Sequence, residues 1–357
     1  MLATSFEPVP NTLCLDVLTN LLAWEPLSQA AAYAAASAIL DGQWTEAQTA
    51  ALLTGIQMRG PAIDELAGFV AAVRERSIKV NVTHPDVIDT CGTGGSGLNS
   101  INVSTATAIV AAAAGCCVAK HGNRSVSSRA GSTDVLLALG VPMDSEPQSA
   151  AERLDTTGIA FLHAPNFHPG LRRVADVRRS LGFRTIFNLV GPLANPAGVR
   201  RQLIGAYCGV MLCDIVETLR RLGSKHILAV HGQDGADEIT LTAPTMVCEL
   251  RNGVIHEYII EPEQFDISRC KPSDIRGGDA LANAEAIERA LKNQASPVRD
   301  FILLNAGAAI YVGGVTTSID EGVSLARETL RSGLATEKLN ELRYKSDRAG
   351  HARRFRY

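Results

Sequence analysis

The sequence predicts an α/β protein: a small all-helical N-terminal domain followed by a larger α/β domain with a mostly parallel central sheet. Three observations carry this. Residues 11–77 place apolar side chains at helical spacing and show no strand pattern. From Pro85 onward, short apolar runs alternate with helical stretches, the pattern of strands joined by helices that makes a parallel sheet. The 357 residues, 46% hydrophobic and 20% charged, suffice for about two domains with a sizeable core. The helical domain is expected to comprise residues 1–82 together with 167–195, and the α/β domain residues 83–166 and 196–357.

In chain order, Thr45-Glu46-Ala47-Gln48 fits a capping box ahead of the apolar run 50–53. Gly60-Pro61 then closes that helix and precedes the next, Ile63–Arg76. Val87-Ile88-Asp89-Thr90 reads as a strand, 104–114 as a helix, 116–119 as a strand and 132–139 as a helix. Further strands are expected at 159–162, 202–207, 226–231 and 246–250, and a helix at 280–293. An Arg-rich helix, 169–181, precedes the segment 187–196, which is rich in Pro, Gly and Asn.

With 34 basic and 37 acidic side chains the formal charge is −3, so there is no global electrostatic reason to bind nucleic acid or an anionic membrane. Any anion must be met locally. The first residues, Met1-Leu2-Ala3-Thr4-Ser5-Phe6-Glu7, lack the cationic and apolar parts of a secretory signal. The longest apolar stretch, 106–119, falls short of the ~20 residues of a membrane span. A cytoplasmic location is expected. The eight cysteines contain no C-x-x-C pair, and Cys116-Cys117 in an apolar run reads as buried side chains.

Two loops carry the chemistry. Gly92-Thr93-Gly94-Gly95-Ser96-Gly97 follows a strand and leads toward a helix beginning near Asn102-Val103-Ser104-Thr105. Glycines let successive N–H groups turn to one concavity, and a helix N-terminus adds its dipole, which together suit a phosphate. The same letters satisfy G-x-G-x-x-G, but a dinucleotide fold wants an acidic residue at the end of the next strand, and here that strand ends in Lys120-His121. A cation there suits a phosphate or carboxylate better than a ribose, although NADP also tolerates one. The second loop, Lys120-His121-Gly122-Asn123-Arg124-Ser125-Val126-Ser127-Ser128-Arg129, puts four basic or imidazole side chains and three hydroxyls at a strand's carboxyl end, the edge where open α/β sheets bind ligands.

From Asp89 to Gly140 the motifs G-T-G-G, N-V-S-T, K-H-G-N-R-S-V-S-S and G-S-T-D-V-L-L-A-L-G occur in that order, and this run closely resembles the anthranilate phosphoribosyltransferases. The likeness continues through Ala164-Pro165, 177–182, Arg184-Thr185-Ile186-Phe187-Asn188, Gly191-Pro192-Leu193, His231-Gly232, Asp237-Glu238-Ile239 and Asn305-Ala306-Gly307, essentially the whole chain. The K-H-G-N-R-S loop separates that family from the pyrimidine nucleoside phosphorylases of the same fold.

The resemblance implies transfer of the phosphoribosyl group of 5-phosphoribosyl 1-diphosphate to the amine of anthranilate, the second step from chorismate to tryptophan, with Mg²⁺ and in a homodimer. It implies a diphosphate and sugar-phosphate site at Gly92, Gly95, Ser96, Ser100, Asn102, Ser104, Thr105, Lys120, Asn123, Ser127, Ser128 and Ser132. Mg²⁺ maps to Asp237 and Glu238 with the Ser104 hydroxyl. The anthranilate carboxylate maps to Arg178, with Asn123 and the backbone at Gly92. Taken alone, Asp237-Glu238 is an ordinary solvated acidic pair and Arg178 one of five arginines on or near a helix. His121 is either a polar wall of the amine pocket, a proton acceptor or a loop-fixing residue; with Arg178 and Asn123 it completes the catalytic set. The chain departs from the family at Ser96, where the glycine loop ordinarily carries Asp, and at Ser100, where it carries Thr. These departures leave open a paralogue acting on another aromatic amine or a nucleoside, or a non-catalytic nucleic-acid-binding homologue.

Overall fold

The computed structural model describes residues 12–95, 98–123 and 130–343. Four helices open the chain: α1 (Thr12–Leu22), α2 (Gln29–Leu40), α3 (Glu46–Arg59) and α4 (Ile63–Arg76). The expected capping box is present: Gln48 N donates to Thr45 Oγ1 at 3.2 Å and Thr45 N to Gln48 Oε1 at 2.9 Å, which satisfies two N–H groups that the first turn leaves without helical partners. Between α2 and α4 the backbones come close, since a Cβ on Gly68 would lie 2.5 Å from the Gln29 carbonyl oxygen.

The α/β part follows as β1 (Val87–Gly92), α5 (Val103–Ala113), β2 (Cys117–Gly122), α6 (Ser132–Ala138), α7 (Pro147–Thr157), β3 (Ile159–His163), α8 (Ala164–Phe167), α9 (Leu171–Leu181), α10 (Phe187–Leu193), β4 (Arg201–Gly205), α11 (Leu212–Arg221), β5 (His226–Gly232), β6 (Thr245–Arg251), β7 (Val254–Ile260), α12 (Ala280–Leu291), α13 (Pro297–Gly313) and α14 (Ile319–Arg331). The strands form one sheet in the order β3-β2-β1-β4-β5-β6-β7. The first five run parallel, and β6 and β7 continue antiparallel at one edge. Strand β7, which the sequence reading omits, is mostly exposed and enters through Asn252-Gly253, both at positive φ, the turn that joins two twisted strands.

Both faces of the parallel strands β1–β5 are buried, as a parallel sheet requires. Alternate residues of β5 divide between two cores: Leu228 and Val230 join the cluster formed with α5, α12, α13 and α14, while Ile227 and Ala229 join the cluster shared with the N-terminal helices, α9, α10 and α11; a third, smaller cluster covers β2 and β3 beside α7. Helices α9 and α10 pack against α2, α3 and α4. No helix among the described residues is long and apolar enough to cross a membrane. Cys116 and Cys117 are buried free thiols, pushed up by burial to about 12 and about 11. A disulfide joins Cys213 of α11 to Cys248 of β6, a pairing that the sequence reading does not foresee because the two are 35 residues apart.

Candidate active site

The chain runs β1-β2-β3 in one direction and then places β4 on the other side of β1, so the carboxyl ends of β1 and β4 border a topological switch point. Gly92 pairs with Gly205 there. The glycine loop is laced to this edge: Thr93 N donates to Gly205 O at 2.8 Å, and Tyr207 N donates to Thr93 Oγ1 at 3.0 Å. Gly94 N donates to Asp237 Oδ2 at 2.9 Å. The segment after β5 crosses so closely that a Cβ on Gly205 would stand 1.5 Å from the Asp237 carbonyl oxygen, which restricts position 205 to glycine. The turn at 232–235 is closed by Gly235 N to Gly232 O and Gly232 N to Ala236 O, both 2.8 Å, and delivers Asp237 and Glu238 to the loop. Glu238 Oε2 accepts from Ser100 Oγ at 2.9 Å. Burial, then the neighbouring Asp237 charge, raises the Glu238 carboxyl well above the usual range.

Strand β2 extends to Gly122, so Lys120 and His121 lie inside it rather than in the loop beyond. Their polarity hides a strand because each is buried with partners. Lys120 Nζ donates to Thr90 O at 2.5 Å and Ser104 Oγ at 3.2 Å. Asp89, fully buried, accepts from His121 N at 3.1 Å and Asn195 Nδ2 at 2.8 Å. Burial lowers Lys120 and raises Asp89, while each charge opposes the shift of the other. The Lys120 amine is thereby fixed between β1 and the first turn of α5. Asn102 at the start of α5 accepts from Asn283 Nδ2 at 2.7 Å and donates to Ala130 O at 3.2 Å. Thr105 is fully buried and its hydroxyl has no partner among the described residues. Ser132 Oγ donates to Asn123 O at 3.2 Å.

Facing this edge, α9 and α10 contribute Arg178 and Gly191. The structure sorts the arginines. Arg172, Arg173 and Arg179 are exposed and bond Pro165 O, Asp41 O and Asp176 respectively. Arg178 is half-buried, its guanidinium donating to Asn188 Oδ1 at 3.4 Å, and burial lowers its pKa. The His121 imidazole bonds to the backbone of Gly191, and burial, with His168, Lys120 and His163 nearby, holds it well below its ordinary value. Its ring meets His168 edge-on at 5.0 Å. His121 Nε2 and both His168 nitrogens are buried without partners among the described residues. Burial pulls His168 down to about 4.

Residues 15–77 match the glycosyl transferase family helical bundle domain and residues 84–336 the glycosyl transferase family a/b domain. The anthranilate phosphoribosyltransferase of Rubrobacter xylanophilus is 47% identical over 325 residues, covering 91% of this chain and 95% of that protein. The chain belongs to the anthranilate phosphoribosyltransferase family. A second family member, from Thermoanaerobacter sp., is 42% identical over 92% of this chain and 97% of its own length. Among solved structures of the family, the Thermus thermophilus enzyme superposes with a TM-score of 0.87 at 39% identity, covering 92% of this chain and 98% of that one. The Saccharomyces cerevisiae enzyme in complex with PRPP and Mg gives a TM-score of 0.83 at 26% identity, with 93% and 97% covered.

Of the residues that the family resemblance singles out, the structure gathers Gly92, Gly95, Ser100, Asn102, Ser104, Lys120, Asn123, Ser132, Asp237 and Glu238 around the carboxyl ends of β1, β2 and β4, with His121 under α10. Ser96, Ser127 and Ser128 lie outside the described residues, as do Arg124 and Arg129. Sequence reasoning passes over Asn195, Asn283 and His168. Asn195 lies near the end of the Pro/Gly/Asn-rich segment, and His168 precedes the Arg-rich helix; neither stands in a motif whose letters dictate a bond. Asn283 sits in a helix that looks ordinary from its sequence.

Proposed function

We propose that this chain transfers the phosphoribosyl group of 5-phosphoribosyl 1-diphosphate to the amine of anthranilate, releasing diphosphate and giving N-(5-phosphoribosyl)anthranilate. The observation that carries the reading is the convergence, at one strand edge, of the glycine-loop amides, a buried lysine and an adjacent carboxylate pair. The relatives' names, and the PRPP and Mg in the yeast enzyme's structure, point the same way.

The reaction asks for positioning and charge control more than covalent chemistry. The arylamine nitrogen forms the bond to C1 while the C1–oxygen bond breaks, its electron pair leaving on the diphosphate. Lys120, Ser104, Asn102 and the amides from Gly92 to Gly95 hold the diphosphate, with Ser96, Ser100, Thr105, Asn123, Ser127, Ser128 and Ser132 completing the substrate site. Arg178 takes the anthranilate carboxylate through its fork of donors, aided by Asn123 and the backbone at Gly92. His121, kept neutral by burial, walls the amine pocket and offers Nε2 as a hydrogen-bond acceptor rather than as a strong base.

Asp237 and Glu238, with Ser104, are hard oxygen donors that fit Mg²⁺. The fit is also electrostatic, because Glu238 is held above the ordinary carboxylate range beside Asp237, and a cation relieves such a pair. Bound there, the ion offsets charge on the departing diphosphate. We take residues 1–82 with 167–195 as one unit whose closure on the α/β domain excludes competing water. The apolar, exposed Leu15, Leu22, Trp24 and Met58 on and beside α1 and α3 support a homodimer built through that unit. A substrate of such charge does not cross membranes, so we place the protein in the cytoplasm.

The test mixes protein, Mg²⁺, phosphoribosyl diphosphate and anthranilate and follows the loss of anthranilate fluorescence. Loss matched by diphosphate release is expected. No loss with anthranilate, but diphosphate release with another aromatic amine, would overturn the substrate assignment.

A further inference from the structure

Arg184 stands in the turn between α9 and α10, on the opposite wall of the cleft from the glycine loop. Its backbone is fixed on both sides. Gly182 N donates to Arg178 O at 3.3 Å, and Thr185 N donates to Asn188 Oδ1 at 3.0 Å, the same oxygen that Arg178 reaches. From this turn the Arg184 guanidinium crosses the cleft and does two things. It donates to the Gly95 carbonyl oxygen, and it lies over the Tyr207 ring at 4.0 Å. Gly95 and Tyr207 follow β1 and β4, the two strands that border the switch point.

Both contacts are with neutral groups. A carbonyl dipole and an aromatic face orient a guanidinium, but neither cancels its charge, and among the described residues Arg184 has no carboxylate partner. In the same arginine-rich segment Arg179 is paired with Asp176. The guanidinium lies close against the glycine loop: Gly95 has φ +84°, a conformation that favours glycine, and a Cβ there would stand 2.5 Å from Arg184 Nη2. An uncompensated, stacked cation held against the rim of an anion cradle has the chemistry of a phosphate contact.

We propose that Arg184 is a diphosphate-side residue of this site, fixing the glycine loop through Gly95 and presenting its guanidinium to the leaving diphosphate. The inference rests on the reading of the cleft as a phosphoribosyl diphosphate site. It also ties the turn that follows α9, the helix of Arg178, to the loop that holds the diphosphate, so that the amine side and the leaving-group side of the reaction are joined through one residue.

The experiment titrates inorganic diphosphate with Mg²⁺, without anthranilate, into the wild type, Arg184→Ala and Arg184→Lys, alongside steady-state kinetics and thermal melting. The wild type is expected to bind. Arg184→Ala weakens diphosphate binding by about tenfold and raises the KM for phosphoribosyl diphosphate by a similar factor, with the KM for anthranilate within about twofold. Arg184→Lys recovers part of the loss, because it keeps the charge and loses the planar fork. Should the alanine variant fail to fold, Arg184→Gln takes its place. Unchanged diphosphate affinity in a folded variant, or a rise confined to the anthranilate KM, would overturn the assignment of Arg184. Failure of the wild type to bind diphosphate would instead sink the reading of the cleft.

Discussion

Glu238 and Glu249 belong to the two ends of strand β5, and the protein treats these two carboxylates in opposite ways. Glu249, on β6 opposite Leu228, accepts from His226 Nε2 at 3.0 Å, Tyr311 Oη at 2.5 Å and Tyr258 Oη at 2.8 Å. Burial alone would raise its pKa, but the His226, Tyr311 and Tyr258 donors together hold it below the ordinary range. Glu238, just beyond the far end of β5, has Ser100 as a donor and Asp237 as its neighbour, and is raised instead. A carboxylate fully supplied with donors is a fastening. One left short, beside a like charge in a cleft, is where a cation adds most.

The largest effect that would break this contrast is expected at Asp237. Asp237→Ala should lower turnover by about a hundredfold or more, as expected for losing charge compensation at the leaving group, while circular dichroism and the melting temperature stay near wild type. Wild-type rates would remove the carboxylate pair from the mechanism. Arg178→Ala should raise the KM for anthranilate by roughly ten- to a hundredfold, the worth of hydrogen bonds to a charged group. Since Arg172, Arg173 and Arg179 are exposed and bonded elsewhere, their alanine variants should bind anthranilate normally; equal losses across all four would show that the helix contributes only diffuse charge.

At the other end of β5 the readout is stability. Glu249→Ala leaves His226, Tyr258 and Tyr311 without their shared acceptor and should cost about 3 kcal/mol in urea unfolding, with both KM values unchanged. The Glu249 carboxyl titrates lower in the folded chain than in the unfolded one. Its contribution is therefore present above the ordinary carboxylate pKa and is lost as pH falls through the folded value. His168 sharpens the same profile. Its folded value of about 4 lies below the ordinary 6.5, so between those values the unfolded chain binds the extra proton, and stability falls as pH drops from 6.5 toward 4, by at most about 3 kcal/mol. His168→Asn should flatten the urea midpoint across that window; an unchanged slope would assign the loss to other groups.

Much of this molecule is legible in its sequence where a local rule decides the structure. The capping box at Thr45 and the helix Ile63–Arg76 follow from caps and spacing, and the glycine loop from its position after an apolar strand. What escapes is decided by tertiary placement. Strand β7 is exposed along most of its length, so no apolar alternation marks it, and only Asn252-Gly253 signals the hairpin. Helix α13 is buried on nearly all sides, so its uniform apolarity carries no helical period. Lys120 and His121 read as loop because a strand that buries a lysine needs Thr90, Ser104 and Asp89 in place around it. Arg178 is distinguishable from its neighbours only after α9 has turned one face inward.

The smallest expected effect is at Ser96, where the family ordinarily carries Asp. Ser96→Asp restores the family's carboxylate and should shift the Mg²⁺ dependence of the rate by a few-fold, the effect of about 0.2–1 kcal/mol. Superimposable Mg²⁺ curves would make the position neutral.

The most direct measurement pairs Glu238→Gln with Glu249→Gln, recording for each the Mg²⁺ half-saturation of turnover and the urea midpoint. Removing charge from the raised carboxylate should weaken Mg²⁺ dependence by about tenfold or more, and leave the midpoint unchanged or higher because the repulsion with Asp237 is gone. Removing it from the donor-supplied carboxylate should lower the midpoint and leave the Mg²⁺ curve in place. Both variants losing stability with identical Mg²⁺ curves would contradict the assignment of Glu238 to the reaction.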